Sequence, residues 1–258
     1  MAYIDIQDFD INQVHVFAKT TGTKERICIG YGPTMKSIAF VTPPAVTNFP
    51  RLTADGDWGT TYGPTDADKI RFSVDINEWD PEHSMAKEYG EAVSAYISIM
   101  EAIDALLLNF MFGNQLKWLN RKNLSKAEVQ MLQVPSVKVP LDKEFGTERQ
   151  KRVELKTRKY FFHNGAKKTR VINICDHQGK VVPSGEAEVQ SGDVVCATMH
   201  LGTVYNGVAG DKFGCCWEVE DVQVVCQQKH IAPKESIPAF SSNLGDHFTT
   251  HEYTKVEC

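Results

Sequence analysis

Apolar and polar residues alternate through residues 13–20, with Val14, Val16 and Ala18 on one side. A period of two is the signature of a strand with one buried face. Residues 25–29 and 36–42 read as further short strands, punctuated by Gly30, Gly32 and Pro33 and then by Pro43 and Pro44. Residues 50–68 are rich in Gly, Asp and Thr, carry Trp58 and Tyr62, and predict a long loop. Loops of that length inside a compact domain tend to be functional or mobile. Residues 69–76, Lys-Ile-Arg-Phe-Ser-Val-Asp-Ile, alternate again and predict a strand. The period then changes to that of a helix. Met85, Tyr89, Val93, Tyr96, Ile97, Met100, Ile103, Leu107 and Phe110 recur at helical spacing, after Pro81 and before Gly113. Pro and Glu82 suit the first turn and Gly the stop, so a core-facing helix is expected over 82–112.

Ser125 and Glu128 match a capping box that opens a short helix to about Gln133. Residues 134–145 hold two prolines and predict an extended connection. Beyond them the pattern is that of a β meander. A strand is expected over 152–162, a hairpin turn at His163-Asn-Gly-Ala, and a return over 168–175. Two long strands follow over 193–205 and 212–226, with Gly207 and Gly210 between them. Strands, one large helix and more strands make the chain α+β. The preferred closure is a five-stranded, partly open barrel of the OB type, with extra strands and the long helix inserted. Residues 1–226 are expected to form this one domain, and 227–258 a flexible polar tail with Pro233 and Pro238.

A chain of 258 residues buries enough surface to need no disulfide or metal. The seven cysteines form no Cys-x-x-Cys, and reduced thiols are expected. The start is acidic and lacks a basic-then-apolar signal. The longest unbroken apolar run, 105–112, is short of a bilayer's requirement. These features predict an intracellular protein with no membrane partner.

Charge changes the picture. The net charge of −5 alone argues against a polyanionic ligand. From Lys117 to Arg170, however, the balance is +10, which leaves −15 for the rest. Lys156, Arg158, Lys159, Lys167, Lys168 and Arg170 stand here among Tyr160, Phe161 and Phe162. Lys156, Arg158 and Tyr160 share one strand face and Phe162 continues it. Phosphates need cations and unstacked bases need flat apolar partners, so this mixture is what a single-strand groove requires. A plain solvated charge run is the alternative.

Signatures of catalysis are missing. There is no phosphate-binding Gly-x-x-x-x-Gly-Lys-Ser/Thr, no dinucleotide Gly-x-Gly-x-x-Gly after a strand, no His-Glu-x-x-His and no Gly-x-Ser-x-Gly. No catalytic residue, cofactor or metal ligand is assigned. His247 and His251 stand four apart with no second pair, and Asp55, Asp57, Asp66 and Asp68 miss the spacing of an EF-hand. A nuclease using those aspartates, and an assembly module docking an acidic partner, are the competing classes.

Residues 153–225 resemble the OB-fold single-stranded-DNA-binding proteins of short-tailed phages and large eukaryotic DNA viruses. The stretches that carry the resemblance are the hairpin around His163, Val-Ile-Asn-Ile-Cys-Asp-His-Gln-Gly-Lys at 171–180, Ser-Gly-Asp-Val-Val at 191–195, Tyr-Asn-Gly-Val-Ala-Gly at 205–210 and the closing strand 213–225. The upstream order, strand 70–76 then the long helix, matches as well. The resemblance implies binding of single-stranded DNA without regard to sequence, in viral or phage DNA replication, recombination or repair. It implies no enzymatic activity. It places the protein in host cytoplasm or nucleus at sites of viral DNA replication. The implied partners are single-stranded DNA, replication proteins such as a polymerase or helicase-primase, and a second copy of the chain. In that family the aromatic before the Asn turn stacks on bases, which here is Tyr205, joined in our reading by Tyr160 and Trp58 or Tyr62. The phage members end in a strongly acidic tail. This chain departs from them, with only Glu235, Asp246, Glu252 and Glu257 before Cys258.

Overall fold

The computed structural model describes residues 2–47, 52–53, 69–76, 84–141, 144–148, 151–158, 160–163, 166–169, 172–182, 188–189, 192–207, 211–226, 236–237 and 256–257. The first alternating stretch becomes a hairpin. β1 (Val14–Thr21) and β2 (Lys24–Tyr31) pair antiparallel, from Val14 opposite Tyr31 to Thr21 opposite Lys24. The turn between them holds Gly22 at φ +63°, a backbone region open to glycine at little cost. Val14, Ile27 and Ile29 are buried along one face.

The remaining elements are β3 (Ile38–Val41), β4 (Ala45–Thr47), β5 (Lys69–Asp75), α1 (Ser84–Gly113), α2 (Gln115–Leu119), α3 (Lys126–Leu132), β6 (Arg152–Arg158), β7 (Tyr160–His163), β8 (Ala166–Thr169), β9 (Asn173–Cys175), β10 (Val194–Asn206) and β11 (Phe213–Cys226). Five strands close into a ring. β10 pairs with β4, β4 with β5, β5 with β6, β6 with β11, and β11 with β10. Every pairing is antiparallel except β6 with β11, where Leu155 faces Trp217. β3 runs along β10, and β9 lies parallel to β11. The β10–β11 ladder shifts register after Val194, Thr198 and Leu201. Each shift bends the pair, which lets two long strands wrap around the ring.

The helical stripe read from the sequence packs as expected. Tyr89, Val93, Tyr96, Ile97, Met100, Ile103 and Leu107 are buried, with Phe110 half-buried against the same cluster. Over Tyr89–Gly113 the helix is long and apolar enough to cross a membrane by length and composition, with a mean hydropathy of 1.5. Charged residues interrupt this span, so counting unbroken apolar runs misses it. Its apolar side is taken by the core, where the Tyr96 hydroxyl donates to Met199 Sδ at 2.9 Å. The capping box forms as predicted: Ser125 Oγ accepts from Glu128 N, and Glu128 accepts from Ser125 N.

One polar knot interrupts the apolar core. Asp104 of α1 is buried, and its carboxylate accepts from Ser136 N at 2.6 Å and Ser136 Oγ at 2.8 Å. Trp217 Nε1 donates to the same Ser136 Oγ at 3.0 Å. Burial raises the Asp104 pKa, against the opposing pull of the Ser136 hydrogen bonds. The knot ties α1 to β11 through a connection with no helix or long strand of its own.

Over the span 152–162, where one strand is expected, the described residues pair with two different partners on either side of Lys159, which lies outside the described residues. β6 stays in the ring until Arg158, opposite Lys69 at the start of β5. With its partner's ladder ended, the chain pairs locally. β7 and β8 pair antiparallel with each other, from Tyr160 opposite Thr169 to His163 opposite Ala166, and Asn164 and Gly165 lie outside the described residues.

Candidate nucleic-acid interface

The β5–β6 ladder sorts its residues by chemistry. Ile70, Phe72 and Val74 stand opposite Thr157, Leu155 and Val153. Val74, Val153 and Leu155 are fully buried, so these positions belong to the inner face of the ring. The alternate positions form the outer row. There Lys69 is opposite Arg158, Arg71 opposite Lys156, Ser73 opposite Glu154 and Asp75 opposite Arg152. One end of the row therefore sets two cations directly across from two others. Like charges in directly opposed positions destabilise a ladder. An anion placed between them reverses that sign, and a phosphate backbone is such an anion.

At its other end the row is neutralised from within. Lys138, which adds to β6 opposite Arg152, places Nζ 2.9 Å from Glu154 Oε2. Lys138 and Glu154 also line a cavity of about 30 Å³ together with Ser136, Tyr205, Cys215, Cys216 and Trp217. That volume holds about two waters. Tyr205 reaches the cavity from β10, where its cross-strand partner is Gly214. A Cβ on Gly214 would come within 2.6 Å of the Val134 carbonyl oxygen and 3.0 Å of Tyr205 Oη, so only glycine lets the ring lie there. Burial raises the Tyr205 phenol well above its ordinary pKa.

The structure thus brings Tyr205 beside Lys138 and Glu154, at the neutralised end of the ladder that also carries Lys156 and Arg158. Tyr160, Lys167 and Lys168 lie on the neighbouring β7–β8 hairpin, with Tyr160 opposite Thr169, Phe161 opposite Lys168 and Phe162 opposite Lys167. Lys159, which joins them to the strand of Lys156 and Arg158, lies outside the described residues. Lys159, Arg170, Trp58 and Tyr62 lie outside the described residues, as do Asp55, Asp57, Asp66, Asp68, His247 and His251. Lys69 and Arg71 escaped the sequence reading. Their signal was the alternation of the strand 69–76 itself, which puts both charges on the polar side.

Among the described residues, no group of three or more His, Cys, Asp or Glu side chains could hold a metal ion. The described cysteines Cys28, Cys175, Cys196, Cys215 and Cys216 are free thiols. Burial pushes the Cys175 pKa up to about 11 and raises that of Cys196, the reverse of activation for nucleophilic attack.

No family model matches the chain, and no curated protein matches it. Among solved structures it is similar to gp2.5, a single-stranded DNA binding protein encoded by bacteriophage T7. The identity is 15% and the TM-score 0.45, covering 76% of this chain and 96% of that one. It is also similar to the single-stranded DNA-binding protein from bacteriophage Enc34 in complex with ssDNA. There the identity is 12% and the TM-score 0.37, over 73% of this chain and 86% of that one. These neighbours are phage single-stranded DNA-binding proteins, the class named by the sequence resemblance.

Proposed function

We propose that the protein binds single-stranded DNA without regard to base sequence, on a barrel of the OB type, and serves phage or viral DNA replication, recombination or repair. The observation that carries this reading is the outer row of β5–β6, where Lys69 meets Arg158 and Arg71 meets Lys156. Such a row is stable when phosphates sit along it. Support for the OB reading comes from the closed ring of five strands in chain order β3–β4, β5, β6, β10 and β11. In OB barrels the face of strands two and three, with the loops joining one to two and four to five, seats oligonucleotides. Here strands two and three are β5 and β6. The first loop contains Trp58 and Tyr62. Tyr205 lies at the end of β10, next to the second. Lys167, Lys168 and Tyr160 extend the seat along the β7–β8 hairpin, with Lys159 and Arg170 at its borders. Phosphate contact and stacking read no base edges, so the binding is sequence-tolerant. No catalytic role is assigned. Polymerase or helicase-primase partners and a homodimer belong to this reading as expectations.

Fluorescence anisotropy with a labelled thymidine oligomer tests it. Binding at micromolar concentration or tighter is expected, weakening steeply between two salt concentrations, and Lys167→Glu/Lys168→Glu should bind more weakly with a shallower salt dependence. Duplex DNA should compete poorly. Binding that is insensitive to salt, or equal affinity for duplex, would overturn the proposal in favour of an assembly module.

A further inference from the structure

The β1–β2 hairpin has two unlike faces. Its inner face carries the buried Val14, Ile27 and Ile29. On the other, register sets Lys19 opposite Arg26 and Thr21 opposite Lys24, with Phe17 one step inward opposite Cys28. Lys19, Lys24 and Arg26 are exposed. Among the described residues, no carboxylate lies within ion-pair distance of any of the three. Glu25 is at the same tip, but alternation puts it on the inner side, where Lys117 of α2 holds it at 2.8 Å. The tip therefore repeats the arrangement of the β5–β6 row: opposed cations whose nearby carboxylate is engaged elsewhere.

The tip is also tied to the barrel end that carries Tyr205. Lys117 lies over the Trp118 ring, 5.2 Å from its centroid. The Trp118 carbonyl accepts a hydrogen bond from Asn206, the residue after Tyr205. So α2 is fastened to the hairpin arm on one side and to the end of β10 on the other. Residues 113–127 hold Lys117, Arg121, Lys122 and Lys126 and no acidic residue. Arg121, Lys122 and Lys126 are exposed.

We infer that the β1–β2 tip and the turn after α2 form a second backbone contact for single-stranded DNA, which continues the strand's path beyond Tyr205. The contact takes phosphates through Lys19, Lys24, Arg26, Arg121 and Lys122, and reads no bases. This inference rests on the barrel face being a single-strand seat.

Two thymidine oligomers separate the two claims, one of about 6 nucleotides that covers a single barrel seat and one of about 30 that spans both contacts. The variant is Lys19→Glu/Arg26→Glu in the full chain. The reversed pair is still like-charged, so the hairpin's own stability should not change, which far-UV circular dichroism and a thermal melt check. On the long oligomer we expect affinity to fall about tenfold, with a log–log salt slope shallower by about 1.4, the share of two phosphates. On the short oligomer it should match the wild type. Lys36→Glu/Lys180→Glu, at two exposed turns away from the tip, is the charge-matched control and should change little. Equal slopes for variant and wild type on the long oligomer would overturn the inference. So would an equal loss in the control, or an equal loss on both lengths. In each of those cases wild-type binding of the short oligomer still reports on the barrel seat. Failure of the wild type to bind either oligomer would overturn both readings.

Discussion

Two flanks of one barrel handle charge in opposite ways. On the β10–β11 flank, carboxylates and their partners are supplied together. Glu218 and Glu220 bracket His200, at 3.6 Å from Nε2 and 3.2 Å from Nδ1. The Tyr3 hydroxyl donates to Glu220 at 3.0 Å, and Asn173 Nδ2 donates to Asp221 at 2.7 Å. Burial, with help from Glu220, pushes the Tyr3 phenol up to about 12. On the β5–β6 flank the register aligns the basic positions Lys69 with Arg158 and Arg71 with Lys156. Under the proposed function the second flank, where the register aligns basic positions with basic positions, is assigned to an external anion. The overall net charge, being acidic, conceals this division.

The largest expected effect breaks the repulsive flank. Lys156→Glu/Arg158→Glu converts both opposed pairs into ion pairs with Arg71 and Lys69. Affinity for a thymidine oligomer should fall about 100-fold at low salt, with the salt slope shallower by about 1.4. Stability should move the other way, rising by about 0.2–1 kcal/mol for each converted pair. Anisotropy and a urea midpoint measure the two. A loss of binding accompanied by a loss of stability would mean that the row is structural.

Breaking the neutralised flank should give the mirror result. Glu218→Lys/Glu220→Lys removes the acceptor of the Tyr3 hydroxyl and both carboxylates beside His200. Unfolding free energy should fall by about 1–3 kcal/mol, while the salt slope for DNA stays at the wild-type value. A smaller effect is expected at Tyr205, which lines the cavity beside Glu154. Tyr205→Ala should weaken binding by about 1–2 kcal/mol through loss of a stacking ring, and Tyr205→Phe should leave it unchanged. If both variants lose binding equally, the hydroxyl rather than the ring is the contact.

The parts of this arrangement that were legible in the sequence are those decided by near neighbours. The α1 stripe, the Ser125–Glu128 box, the strand 69–76 and the turn after His163 each follow from spacing within a few residues. The cationic row was half legible. Lys156 and Arg158 stood out because they fall in a dense basic run, whereas Lys69 and Arg71 belong to a segment flanked by Asp68 and Asp75. Only the β5–β6 register, which joins positions far apart in the chain, unites the four. The end of β6 at Arg158 had the same cause. A strand stops where its partner stops, and the partner's limit is not written locally. Asp104 was hidden within an apolar helical pattern because its acceptors are satisfied by Ser136, a residue in a connection that carries no periodicity.

The smallest effect concerns pH and sharpens the contrast at Asp221. The Asp221 pKa is raised, chiefly by burial and further by Glu220, against the lowering pull of Asn173. A carboxyl whose folded pKa lies above its unfolded value holds its proton in the native state where the unfolded chain has released it. Its stabilising contribution is complete below the ordinary carboxylate range and is lost as pH climbs through the raised value. Asp104 acts in the same sense. Between about pH 4 and 6, Asp221→Asn should therefore show a flatter decline of unfolding free energy with rising pH than the wild type. The cations of the β5–β6 row stay charged throughout that window. Lys156→Glu/Arg158→Glu adds two carboxylates that gain cationic partners on folding, which should depress their pKa values. Its stability advantage should thus develop as pH rises up to the ordinary carboxylate range and be complete above it, where Asp221 begins to lose its own contribution. Denaturant titrations at matched pH values would show Lys156→Glu/Arg158→Glu gaining on the wild type as pH rises up to the ordinary carboxylate range and Asp221→Asn gaining on it only above that range; variants that run parallel to the wild type throughout would overturn the contrast.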